Sequence, residues 1–273
     1  MVKKPEKNAE AEMGFWDHLE VLRYAILRSV IAVTVLSVIA FFFKDFIYNQ
    51  VILGPKNADF ISNRMFCQLG HLFNTESLCI NRNDFPIANF ELAGQFRNHM
   101  MITFVAGIIL AMPYLLTEMW LFIKPALTPK EKKGIKGFVV VTNFLFLLGV
   151  AFGYFVIVPL AINFLSNYML SNDIQNMIRL GSYIRTVVMI SLSTGVVFEL
   201  PVIIYFLAKI GIVTAASLRS FRKQSYVIFF ILAAVLTPPD IISQFLVAMP
   251  LIGLFEVSIF IAKKIEQKQV HDL

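Results

Sequence analysis

Long, sparsely charged apolar runs constrain this chain more than any other feature. A bilayer core of about 30 Å is crossed by roughly 20 residues of helix, and four runs of that kind stand out, at 24–43, 100–121, 138–160 and 184–208. A further apolar stretch, 226–262, is too long for one span and is interrupted by Thr237-Pro238-Pro239-Asp240, which no helix passes unbent. It predicts a short fifth span, 226–236, and a sixth, 241–262. Spans this short imply local bilayer thinning or an adjoining cavity. With 58% hydrophobic and 15% charged residues, against about 45–50% and 25% in soluble domains, the chain lacks the polar surface that a water-soluble fold needs. The fold class is therefore an all-α polytopic membrane protein, a single membrane domain over 1–273.

Orientation follows from the Lys and Arg of the short connections, which accumulate on the cytoplasmic side. Residues 1–23 carry Lys3, Lys4, Lys7 and Arg23; the connection after the second span carries Lys124, Lys130, Lys132, Lys133 and Lys136. Lys209, Arg219, Arg222 and Lys223 follow the fourth span, and the 263–273 tail has Lys263, Lys264 and Lys268. These segments belong to one face, so six spans with both termini cytoplasmic satisfy them all. The long connection 44–99 forms a cap on the opposite side, where its bases are matched by Asp59, Glu76, Asp84 and Glu91 and where Arg179 lies in the second connection. Cys67 and Cys79 both fall in this cap, either as a disulfide in an oxidising compartment or as two free thiols. The polar start, Met1-Val2-Lys3-Lys4, has no small-residue cleavage pattern after the first apolar run, so no removable signal peptide is expected.

An ionisable group inside a span costs about 2.5–3.5 kcal/mol at its centre on insertion scales and is a functional candidate by default. Glu199, followed by Pro201 in the fourth span, fits that description; Pro201 removes a backbone hydrogen bond and predicts a kink beside a concavity. The alternative is a protonated acid serving packing alone. Glu256, nearer the cytoplasmic end, is a weaker case that reaches the interface by snorkelling. On the basic face two acids stand out, Glu20, three residues before Arg23 with Trp16 as interfacial anchor, and Glu131, after the Pro125–Pro129 corner. Each also reads as a solvated charge. No phosphate loop or metal-ligand spacing occurs, the four histidines are dispersed, and the bases sit at span ends rather than on a nucleic-acid face. Neither an enzyme, a cofactor, a metal site nor nucleic-acid binding is expected.

Taken together, the motifs resemble the TatC family, the multi-spanning C subunit of the twin-arginine protein translocase. They are His18-Leu19-Glu20-Val21-Leu22-Arg23, Trp120-Leu121-Phe122-Ile123-Lys124-Pro125-Ala126-Leu127 with Glu131, Gly153-Tyr154-Phe155 with Pro159, Phe198-Glu199-Leu200-Pro201, and Leu236-Thr237-Pro238-Pro239-Asp240 with Ser243-Gln244. The resemblance covers nearly the whole chain. It implies six helices in a cup-shaped bundle in the bacterial cytoplasmic (inner) membrane, acting as receptor for twin-arginine signal peptides of folded precursors and using the proton motive force. It also implies TatA-type and TatB-type single-span partners and self-association in a receptor complex. Glu131, Phe122 and Pro125 match the family's signal-peptide loop and Glu199 its buried glutamate; Pro238, Pro239, Asp240 and Gln244 are candidates for partner docking. The family's N-terminal glutamate aligns with Val21, one residue after Glu20, so either the segment turns to present Glu20 beside Arg23 or another acid such as Asp17 contributes. The rival class is a proton-coupled secondary transporter using Glu199, although the inverted repeat usual in such folds is not visible.

Overall fold

A computed structural model of the protein describes residues 15–72, 79–80, 85–123, 135–171, 176–236 and 241–271. The first helix, α1 (Phe15–Phe42), has no proline or glycine within it. Its many β-branched residues would weaken a helix in water, but in lipid every backbone group must be satisfied within the segment, which enforces helix. Past its end the chain turns through a short α2 (Lys44–Phe46), a π-helical turn over Ile47–Ile52 and a 3-10 turn over Gly54–Lys56, where Pro55 sits at the first turn. The cap helix α3 (Ile61–Leu72) follows. A disulfide joins its Cys67 to Cys79.

The membrane-crossing part continues with α4 (Gly94–Ile123), α5 (Ile135–Phe152), a π-helical turn over Gly153–Ile157 and α6 (Val158–Asn167). Then come α7 (Leu180–Val197) and α8 (Leu200–Lys209), the small α9 (Ala215–Ser220), α10 (Arg222–Leu236) and α11 (Ile241–His271). Gly211, at φ 78°, ends the fourth traverse in the left-handed conformation that a helix stop favours. Five of the described segments are long and apolar enough to cross a membrane: Leu19–Phe42, Gly94–Phe122, Gly137–Asn167, Leu180–Lys209 and Gln244–Gln267. Helix α10 has 15 residues, about 22 Å of rise against a core of about 30 Å. The helices overrun the apolar runs because headgroups and water at the interface tolerate polar side chains on a continuing helix.

The core runs through the bundle, with α5 packed on α7 and α11 packed on α8 and α10; Ile157, Ile184, Val187, Val247 and Leu251 are fully buried in it. Hydrophobicity does not drive helices together in lipid, so close packing must. A Cβ on Gly195 of α7 would come 2.6 Å from Val150 and 2.9 Å from Phe146 of α5, a space that only glycine leaves. On the outside of this core α1 packs along α4 and is otherwise exposed. There a Cβ on Gly107 would come 2.8 Å from the Ser37 backbone nitrogen.

Backbone-directed hydrogen bonds fasten the cap to the bundle. Tyr154 of the π-helical turn donates to the Val51 carbonyl at 2.6 Å, and Tyr183 of α7 donates to the Ile52 carbonyl at 2.9 Å. The short strands β1 (Ile87–Ala88) and β2 (Ile178–Arg179) pair in parallel, Ile87 with Ile178, and tie the connections that precede α4 and α7. Asn63 braces the cap internally by donating to the carbonyls of Pro55 and Asn57, at 3.0 and 2.7 Å.

Candidate functional site

The fourth traverse is broken in its middle. Helix α7 stops at Val197, Phe198 and Glu199 form a turn, and α8 restarts at Leu200 with Pro201 in its first turn. Pro201 has no N–H to give the Val197 carbonyl, and the chain re-forms its ladder with Val202 and Ile203 both donating to the Glu199 carbonyl at 3.0 Å. The break holds Glu199 among apolar neighbours, 7% exposed, with neither carboxylate oxygen bonded to a protein group. A buried carboxyl group without a partner is costly. It is the kind of group that an entering donor or water would satisfy.

A second polar group lies between α1 and α4. Arg28 donates to both oxygens of Glu118, at 3.3 and 3.5 Å, and Tyr114, one turn earlier on α4, donates to the same carboxylate at 2.6 Å. Glu118 is buried, its side chain 8% exposed, while the Arg28 side chain is 56% exposed on the outer surface of the bundle. Neither residue was singled out in the sequence. The rule that pointed to Glu199 applies equally to both, since each interrupts an apolar run, and Tyr114 stands at the helical spacing that reaches Glu118. The pairing itself required the antiparallel register of α1 and α4.

That register also assembles the end of the bundle at which the chain begins. Arg28 meets Glu118 and Ser37 meets Gly107, so the helices run in opposite directions and the continued register brings Arg23 level with Phe122. Arg23 and Glu20 are exposed, Val21 is half-buried and Phe122 is half-buried. Consecutive residues on a helix diverge by about 100°, so Glu20 and Val21 point in different directions, and of the two Glu20 is the more exposed. The end of α4 is pinned to the following helices by aromatic contacts. Trp120 packs edge-on against Phe138 at 4.2 Å and near Phe206 at 5.8 Å, and Phe138 lies 4.6 Å from Tyr205.

Other expected residues are dispersed or lie outside the described residues. Glu131, Pro125, Pro238, Pro239 and Asp240 are outside them, as is the side chain of Asp17. Gln244, near the start of α11, donates to the Phe230 carbonyl of α10 at 3.1 Å. Glu256 is held by Arg222 and Tyr226 of α10, each at 2.5 Å, so it joins two helices instead of reaching alone for the interface. Cys67, His71 and Cys79 form a cluster with ligand-type atoms within 4.8 Å of one another, but the disulfide engages both sulfurs and leaves His71 as the remaining donor.

Five long apolar helices, a helix broken around a buried acid and a fastened cap define a multi-pass α-helical membrane protein. The comparisons with known proteins then show its family. The family model described as Sec-independent protein translocase protein (TatC) matches residues 17–250, and the chain belongs to this family. It is 37% identical over 265 residues to the Sec-independent protein translocase protein TatC of Blattabacterium sp. subsp. Periplaneta americana, covering 96% of this chain and 100% of that one. It is 38% identical over 259 residues to the TatC of Carboxydothermus hydrogenoformans, covering 94% and 96%. The crystal structure of the twin arginine translocase receptor TatC superposes with a TM-score of 0.68 at 30% identity, over 91% of this chain and 99% of that chain.

Proposed function

We propose that this protein is the signal-peptide receptor of a twin-arginine translocase, with both termini cytoplasmic, six spans, and the cap outside the bacterial cytoplasmic membrane. The observation that carries the reading is end-to-end membership of the family, together with a fold close to a protein described as a twin arginine translocase receptor. The chemistry agrees. Two adjacent arginines are always charged and present planar forks that carboxylates match bidentately, which lysine does not reproduce. On this reading Glu131 and Glu20 supply such carboxylates on the basic cytoplasmic side, and Phe122, Pro125 and Arg23 belong to the same binding segment of the sequence. The Arg28–Glu118 pair and the Trp120 contacts fix the helices from which Glu20 and Phe122 project. The apolar part of the signal peptide then lies along the membrane near Glu199. Single-span TatA-type and TatB-type partners dock by the short α10 and the Pro238-Pro239-Asp240 turn with Gln244, and the proton motive force drives transport in a self-associated complex.

Crosslinking of signal peptides bearing Arg-Arg or Lys-Lys to the purified protein in nanodiscs tests this. Arg-Arg peptide is expected to crosslink preferentially, Glu131→Gln to remove the preference, and Glu20→Gln to weaken it. Equal crosslinking of both peptides to the unmodified protein would overturn the receptor reading. The unpartnered carboxyl of Glu199 is what favours a proton-coupled transporter as the second reading. In that case Glu199→Gln would abolish proton uptake by proteoliposomes that contain this protein alone.

A further inference from the structure

At the cap end of the bundle, a pocket of about 470 Å³ opens where α7 begins, lined by residues 88–91, by Arg97, Asn98 and Met101 of α4, and by residues 179–182 and Arg185. Three arginines and one carboxylate face it. Glu91 pairs with Arg97 at 2.5 Å and with Arg179 at 2.6 Å, so two positive charges are left over. Arg185 is exposed and bonds to no protein group among the described residues. The pocket's floor is the start of an 18-residue helix whose N-cap, Arg179, provides no side-chain cap. Its first N–H groups therefore lack intrahelical partners and carry the positive end of the helix dipole.

An independent observation points to a polar ligand here. Asn98 is 5% exposed, lines this pocket, and makes no hydrogen bond with any protein group among the described residues. Its amide points at the helix start, since a Cβ built on Gly181 would lie 3.3 Å from Oδ1 and 3.5 Å from Nδ2. The rest of the side chain is enclosed, so this amide is held at the pocket wall with its hydrogen-bonding capacity open to whatever occupies the pocket. An anion seated between Asn98, the α7 N–H groups and the arginines would satisfy all of them.

We propose that this pocket binds the phosphate of a membrane phospholipid in the leaflet on the cap side. Depth selects a lipid over a free anion. Arg185 lies five residues, about 7.5 Å, along α7 from Leu180, which is the thickness of a headgroup layer at about 5–7 Å per side. Phe90 at the rim and Met189, one turn beyond Arg185, are exposed for acyl chains to cover.

Native mass spectrometry of the full chain in mild detergent, with phosphatidylglycerol or the matching diacylglycerol added, tests the proposal. Phosphatidylglycerol is expected to be retained and diacylglycerol not. Arg185→Gln and Asn98→Asp should each lower retention about tenfold, as loss of one charge-assisted hydrogen bond does, while Lys264→Gln at the opposite end leaves it unchanged. Equal retention by all variants, or of both lipids, overturns the site. Complete displacement by millimolar inorganic phosphate overturns its assignment to lipid. Arg185 is exposed, so its variant decides the matter should Asn98→Asp not fold.

Discussion

Arg28 and Glu118 show how much a single charge inside the bilayer depends on its partner. Glu118 is enclosed by α1 and α4 and accepts from both Arg28 and Tyr114; stripped of either, it keeps its desolvation cost with less to offset it. A buried pair that loses one member typically destabilises by about 3–5 kcal/mol. Arg28 is half exposed, so we expect about 1–3 kcal/mol for Arg28→Ala. The double variant Arg28→Ala with Glu118→Ala should be more stable than either single one, because no unpaired charge remains. Thermal unfolding of the four proteins in one detergent measures the coupling; additive single effects would show that the two residues act independently. Glu199 is the contrasting case, a buried acid with no hydrogen-bond partner among the described residues. Its neighbourhood was legible from Phe198-Glu199-Leu200-Pro201, since a proline and an acid in an apolar run each act on their own segment.

At the scale of elements, the joints between cap and bundle are hydrogen bonds from two tyrosines to consecutive carbonyls. Tyr154 reaches Val51 from the π-helical turn and Tyr183 reaches Ile52 from α7. The extra residue of a π-helical turn shifts the register of the side chains that follow, and here it aims Tyr154 at the chain leaving α1. Each hydroxyl contributes about 1 kcal/mol and, when removed, leaves a carbonyl unsatisfied. Tyr154→Phe with Tyr183→Phe is therefore expected to speed amide hydrogen exchange at 51–56 by about tenfold or more, with α5 and α7 unchanged; uniform acceleration through the bundle would show that these bonds support the whole fold rather than the cap. The break between α7 and α8 was expected from Pro201. The π-helical turn was not expected, although Gly153 opens it and Pro159 follows it in the first turn of α6.

The whole molecule combines five helices of membrane length, a shorter α10 and a cap at one end, and its proposed orientation puts the cap and the two termini on opposite sides. Single cysteines at Lys3, Asp59 and Lys268, introduced into a variant lacking Cys67 and Cys79, should divide under an impermeant thiol reagent applied to intact cells. Asp59 is expected to label from outside, and Lys3 and Lys268 only after permeabilisation. Labelling of one terminus from outside would overturn the even number of spans. What the sequence by itself determined is the membrane class, the approximate traverses, the broken fourth span and the motifs that mark the TatC family. Lipid imposes the same demand on every segment separately, to hide its backbone and to be apolar for about 20 residues, so these features can be read one segment at a time. Only the tertiary structure decided which charges meet: Arg28 with Glu118, Arg222 with Glu256, and Glu91 with both Arg97 and Arg179. It likewise left the Glu199 carboxyl group buried with no partner among the described residues. Those outcomes depend on the rotation and register of helices whose residues lie up to 90 positions apart, and no local pattern encodes that geometry.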